Sequence, residues 1–182
     1  IISNAQLIKK IYIKKWLFPL SSVVFSFINT IFSIIAIFII VILTGGKVYL
    51  TFLFIPLILF YLFLFSLGFG MILASISVFF RDVTHLYNIF LTLIMYLTPI
   101  FYPENIIPKS YKSLISLNPL LHYVKYFRKI VFEGVFPNIT LNITCFVIGV
   151  VTLFIGVLVF KKKENEFVLY VFILFILFNI QM

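Results

Sequence analysis

The chain has 182 residues, 64% of them hydrophobic and 10% charged, with a formal net charge of +9 and a mean hydropathy of +1.25. A soluble domain of this length cannot bury so much apolar surface, since average usage is about 45–50% apolar and about 25% charged. A water-soluble enzyme is excluded, and the cations, gathered in short clusters beside apolar runs, read as topology signals rather than as a nucleic-acid surface.

In chain order, Ile1 to Leu20 is an amphipathic lead-in. Leu7, Ile8 and Ile11 alternate with the pairs Lys9-Lys10 and Lys14-Lys15, and Tyr12 and Trp16 suit the headgroup level. The chain opens on Ile1 with no signal-peptide pattern, which predicts an N-terminus cut from a longer protein with earlier helices. Pro19 predicts a break before a first span, Ser21 to Leu43, and Thr44-Gly45-Gly46-Lys47 a tight turn into an antiparallel neighbour. The second apolar run, Val48 to Phe80, exceeds one crossing and predicts a tilt, or a kink at Pro56 or at Gly68 and Gly70. It ends at Phe80-Arg81-Asp82, where Arg81 and Asp82 read as an ion pair at the membrane edge.

The third run, Leu86 to Tyr102, is short for a span and closes on Thr98-Pro99 and Tyr102-Pro103. The polar region from Glu104 to Asn138 follows, with an apolar-basic segment from Asn118 to Gly134 lying along or dipping into the interface. The fourth span runs from Ile139 to Phe160, stopped by Lys161-Lys162-Lys163. The tail from Phe167 to Ile180 would cover roughly 21 Å at ~1.5 Å per residue, short of the roughly 30 Å hydrocarbon core, and is expected to be interfacial. The fold expected is thus all-α and integral to the membrane: a polytopic bundle of four spans with re-entrant or interfacial helices. Residues 1–20 form the cytoplasmic amphipathic segment and 21–160 the transmembrane domain, with 104–138 as its extracytoplasmic excursion. Residues 161–182 form a basic stop and apolar tail.

Orientation follows from the cations. Lys9, Lys10, Lys14, Lys15, Arg81, Lys161, Lys162 and Lys163 fall on one side, close to span ends, and that side is assigned to the cytoplasm. Lys47, Lys109, Lys112, Lys125, Arg128 and Lys129 fall on the other.

Each span carries a small or polar stripe at helical spacing: Ser22, Ser26, Asn29, Thr30 and Ser33; Ser66, Gly70, Ala74 and Ser77; Asn88, Thr92, Tyr96 and Pro99; Asn142, Cys145, Gly149, Thr152 and Gly156. Such stripes serve helix packing first and a cargo-facing wall second. No charge lies in mid-span, which argues against a proton pump or ion-coupled carrier. Catalytic patterns are absent from the sequence. His85 and His122 lack metal-ligand spacing, no phosphate-binding loop is present, and Cys145 is the single cysteine. The sequons at Asn138 and Asn142 sit at a span boundary, where they are expected to go unused. No nucleic acid, metal or catalytic role is expected.

Three stretches taken together resemble a known family: Asn4-Ala-Gln-Leu-Ile-Lys-Lys leading to Phe18-Pro19-Leu20; Phe80-Arg81-Asp82-Val83 followed by Thr98-Pro99-Ile100-Phe101-Tyr102-Pro103; and Asn118-Pro119-Leu120 followed by Phe127-Arg128. Their order is similar to that of ABC-2 type permeases exporting O-antigen, capsule or teichoic acid. The resemblance implies a multi-pass protein of the plasma (cell inner) membrane, six spans in the whole chain, a homodimer, and a separate ABC ATPase subunit that binds the ATP. It implies a lipid-linked glycan as cargo, and docking of the ATPase on the opening segment, with Asn4, Leu7, Lys9 and Lys10 as contacts. Aromatic walls suit sugars, whose C–H faces stack on rings; Tyr61, Tyr96, Phe101 and Tyr102 are the candidates. Lys125, Arg128 and Lys129 are candidates for a glycan diphosphate or membrane lipid headgroups. The family's chains end soon after the basic stretch, so the apolar tail here is a departure. The alternatives are an ABC-2 permease for a small lipophile or drug, and a membrane-embedded glycosyl- or acyltransferase. For the latter, Asp82, Glu104 and Glu133 are too scattered.

Overall fold

A computed structural model describes residues 14–80, 82–100, 102, 106 and 115–164. Among the described residues five α-helices carry the fold: α1 (Leu17–Leu43), α2 (Ile55–Phe79), α3 (Val83–Leu97), α4 (Pro119–Arg128) and α5 (Ile139–Lys163). A 3-10 turn (Leu50–Phe54) leads into α2, and a π-helical turn (Lys129–Glu133) extends α4. Three of these helices are long and apolar enough to cross a membrane: α1, α2 with its leading turn, and α5. The third expected span is shorter. Helix α3 has 15 residues, ~22 Å at ~1.5 Å per residue, which falls short of a full crossing.

Prolines set the boundaries, though not as the sequence predicts. Pro19 does not precede α1; it lies inside the first turn, where no intrahelical N–H bond is lost. Pro56 likewise stands in the first turn of α2, so it starts that helix instead of kinking it. Helix α3 ends two residues before Pro99: Leu97 is the last helical residue and Thr98 is extended (ψ 127°), as the residue before a proline prefers. The helix that carries the fourth expected span does not end at Phe160. The helix continues through Lys161, Lys162 and Lys163, whose charges suit the negative end of the helix dipole.

Helix α2 is the hub. Its closest partner is α5, and the two meet backbone to backbone. A β-carbon at Gly68 would collide with the backbone of Thr152 and Leu153, and one at Gly156 with the backbone of Gly68 itself. Gly68 therefore marks a crossing point rather than a kink, and α2 runs unbroken through it. The α5 stripe of Cys145, Gly149 and Gly156 is buried, with Thr152 half-buried beside it. On α2 the buried face is Ile58, Tyr61, Gly68, Met71, Ser75 and Val78, not the stripe of Ser66, Gly70, Ala74 and Ser77. Ser75 donates to the carbonyl of Met71 at 2.8 Å, so its hydroxyl is satisfied within its own helix.

Two ends of the bundle can be told apart. At one, the Lys15 ammonium donates to the Glu164 carbonyl, and Lys163 Nζ lies 4.4 Å from the centre of the Phe79 ring. At the other, the Thr51 hydroxyl donates to the Ile130 carbonyl at 2.7 Å. There Gly134, at φ +63°, closes the π-helical turn, and the Val135 N–H returns to the Lys129 carbonyl at 3.1 Å. A β-carbon at Gly134 would also strike the Tyr49 ring, so glycine is required by conformation and by space. The described lysines Lys15 and Lys163 thus share one end, and Lys129 lies at the opposite one.

Replacing Gly156 by Leu should force α2 and α5 apart and lower stability by at least about 1–3 kcal/mol, read as a fall in thermal midpoint in detergent. Gly70→Ala should change it little, because that β-carbon meets only Val23 Cγ2, at 3.3 Å.

Candidate functional site

Helices α1, α2 and α3 enclose an open groove of about 500 Å³, closed at one end by the start of α4. Ser22, Ser26 and Thr30 line it from α1, Phe65, Ser66, Phe69 and Gly70 from α2, Tyr87, Phe90 and Ile94 from α3, and Asn118 and Pro119 from the α4 end. Ser66 and Gly70 of the α2 stripe are therefore groove walls with Ser22, Ser26 and Thr30 of the α1 stripe, whereas Ala74 packs against the cluster of Met71, Val78 and Phe160. Asn29 and Ser33 of the α1 stripe stay outside the groove and are exposed.

Aromatic rings run along the wall in sequence. Phe65 stacks on Phe69, 5.9 Å between centres and 8° between planes, and Phe69 lies 6.4 Å from Tyr87. Hydroxyls are interleaved with them. Ser22 and Thr30 donate to their own helix, to the carbonyls of Phe18 at 3.1 Å and Ser26 at 2.9 Å. Among the described residues the hydroxyls of Ser26, Ser66 and Tyr87 have no hydrogen-bond partner and remain available to a bound molecule. Among the described residues no charged side chain lines the groove. Such a surface can stack on and hydrogen-bond a neutral polyhydroxylated chain, but has no group with which to hold an ion.

The proposed wall tyrosines lie elsewhere. Tyr61 is 8% exposed and sits between α2 and α5, its hydroxyl donating to Asn142 Oδ1 at 2.8 Å and its ring edge-on to Phe146. Tyr96, 68% exposed, is on the far face of α3, beside a shallow hollow with Ile89, Thr92 and Leu93. Tyr102 folds back so that its hydroxyl donates to the carbonyls of Tyr96 at 3.0 Å and Leu97 at 3.3 Å, tying off the end of α3. Phe101 lies outside the described residues, as do Asn4, Leu7, Lys9, Lys10 and Arg81. Asp82 is exposed and precedes α3, without a side-chain cap bond.

The motif residues converge at the groove's closed end. Thr98 and Pro99 are fully buried. The Thr98 hydroxyl donates to the Ile94 carbonyl at 2.7 Å and accepts from Asn118 Nδ2 at 2.7 Å. Asn118 Oδ1 in turn accepts from the Leu120 N–H at 3.0 Å, capping α4, with Pro119 at the helix's first position. One asparagine thus starts the interfacial helix and fastens it to the end of α3. Arg128 adds a second tie, Nη2 donating to the Ile100 carbonyl at 2.9 Å. That guanidinium is engaged in structure, and Lys125 and Lys129 are its half-buried neighbours on the same helical surface.

Behind the clamp, α4 docks on α2 and α5 through tyrosines. The Tyr123 hydroxyl donates to the Cys145 carbonyl at 3.0 Å, while the Tyr126 hydroxyl is buried without a partner among the described residues. His85 is exposed, and His122 Nε2 lies 3.2 Å from the Ser116 carbonyl. Among the described residues no three His, Cys, Asp or Glu side chains gather as metal ligands. Thr51, Asn118 and the Phe65–Phe69–Tyr87 row escape stripe reasoning; only the Asn118-Pro119 dipeptide signals its capping role in the sequence.

These features define a polytopic α-helical membrane protein with a groove lined, among the described residues, by uncharged side chains. The chain belongs to the ABC-2 type transporter family, whose membrane domain it matches over residues 5–132. It is 28% identical over 167 residues to the O-antigen export system permease protein RfbA of Klebsiella pneumoniae, covering 91% of this chain and 64% of that protein. A Myxococcus xanthus protein of the same name is 32% identical over 105 residues, 57% of this chain and 40% of the relative. The polysialic acid transport protein KpsM of Escherichia coli is 31% identical over 101 residues, 55% of this chain and 39% of the relative. The chain therefore spans less than two thirds of the length of these curated relatives.

Asn118→Ala should lose both the cap and the tie to Thr98, about 2 kcal/mol in total, while Asn118→Asp keeps the cap and loses about half as much. Thermal unfolding of the purified chain checks the order. The two tyrosines should respond oppositely in the same assay: Tyr123→Phe lowers stability by about 1 kcal/mol, and Tyr126→Phe raises it by a similar amount, because a buried unbonded hydroxyl is removed.

Proposed function

We propose that the chain is the membrane subunit of an ABC exporter that moves a lipid-linked polysaccharide across the plasma membrane, powered by ATP bound on a separate ATPase subunit. The observation that carries this is the pair of relatives named for different glycans, O-antigen and polysialic acid, aligned to a chain whose groove is uncharged, aromatic and hydroxyl-lined. Glycan C–H faces stack on rings, and their hydroxyls exchange hydrogen bonds with Ser26, Ser66 and Tyr87. In a homodimer two such grooves would face a shared path. Binding and release of the ATPase would bias the bundle between two arrangements. Lys125, Arg128 and Lys129 would stand near anionic groups at the extracytoplasmic end, either headgroups or the glycan's diphosphate. The largely apolar remainder of the lining also suits a second cargo class, a small lipophile.

Deletion of the gene should abolish surface polysaccharide, and the full-length gene should restore it. A Ser66→Trp variant, which fills the groove, should be present at normal level and still bring down its ATPase in mild detergent, yet restore less than a tenth of the surface glycan. Normal glycan with altered drug tolerance in the deletion strain would favour the lipophile. Absence of any ATPase from the pull-down would end the transporter assignment for this protein.

A further inference from the structure

We propose that the lysine-rich end of the bundle is a binding site for the phosphate headgroup of an anionic phospholipid. Two lysine clusters remote in sequence meet there. Lys14 and Lys15 precede α1, Lys161, Lys162 and Lys163 close α5, and the Lys15 ammonium donates to the Glu164 carbonyl across the gap. The preference of cytoplasmic loops for cations accounts for the sign of each cluster but does not require that they converge. Lys163 is held in place over the Phe79 ring, and Lys14, Lys161 and Lys162 are exposed beside it. The described acidic groups at this end are Glu164 and Asp82, fewer than the exposed Lys14, Lys161 and Lys162.

Depth selects a lipid over an acidic protein surface. Trp16 and Leu17, 38% and 39% exposed, directly follow Lys14 and Lys15 in the chain, and Phe80, 65% exposed, follows the Phe79 ring that Lys163 covers. Tryptophan marks the headgroup level, and the apolar residues offer a surface to the glycerol and upper acyl chain of a lipid whose phosphate reaches the lysines. A soluble acidic partner would be matched by the charges alone and would leave those rings uncovered.

The test measures apparent affinity of the purified full-length chain in neutral detergent at low salt, from the rise in thermal midpoint on titrating phosphatidylglycerol. Each lysine near an anionic headgroup is worth about fivefold. Replacing Lys161, Lys162 and Lys163 together by Gln should therefore weaken binding about a hundredfold, and replacing them by Arg should preserve it. Lys47→Gln, at the opposite end, should have no effect. The proposal is overturned if phosphatidylcholine stabilises equally, if inorganic phosphate alone reproduces the shift, or if the Gln variant keeps wild-type affinity. Undiminished lipid binding with loss of a co-purifying acidic protein would overturn it in favour of a protein-docking face.

Discussion

Where Gly68 of α2 meets Gly156 of α5, two helices touch through their main chains, and the rest of the bundle is arranged around that contact. In lipid there is no hydrophobic force between helices, so close packing of small surfaces has to supply the attraction. A main-chain crossing brings the greatest number of atoms within van der Waals range. It fixes the rotation of α2 about its axis, and so decides which of its faces is left over. The leftover face carries Ser66, Phe69 and Gly70, and becomes the groove. Packing and pathway are the two sides of one helix.

The closed end of the groove depends on a different kind of contact. Asn118 is a polar side chain with two tasks, a cap for α4 and a donor to Thr98, and both partners are backbone or near-backbone groups of helix ends. Helix termini leave unpaired groups that cannot face hydrocarbon. The end of α3 is satisfied by Thr98, Tyr102 and Arg128 acting from three directions. The described motif residues Thr98, Pro99, Tyr102, Asn118, Pro119 and Arg128 are, in this chain, devices for ending one helix and starting another. They describe how the wall is closed rather than what passes along it.

Much of this was legible from residue pattern. Polytopic helical character follows from composition, and the α5 stripe from small residues three and four apart. The α2 face was misjudged because glycine and serine occur on both sides of that helix. Gly68 and Gly70 are two residues apart, about 200° around the axis, and periodicity alone does not say which of them meets the partner. Tyr61 and Tyr96 suited a sugar wall by residue type, but one is drawn to Asn142 and the other turned outward. Such choices belong to tertiary packing, and they appear only when the neighbouring helix is present. The end of α3 was misplaced for a simpler reason. Apolar composition continues past Leu97, whereas the backbone turns at the residue before Pro99.

The hydroxyls of the spanning helices have a further consequence, for biogenesis. Ser22, Thr30, Ser33, Thr144 and Thr152 each donate to a carbonyl four residues back in their own helix. None of these groups waits for a neighbouring helix to satisfy it. These five hydroxyls therefore enter the bilayer already paired within their own helix, whereas those of Ser26 and Ser66 do not. The bonds that join different helices, such as Tyr61 to Asn142 and Asn118 to Thr98, form only once those helices meet. Pairing within a helix thus eases insertion, while the interhelical bonds contribute only to assembly.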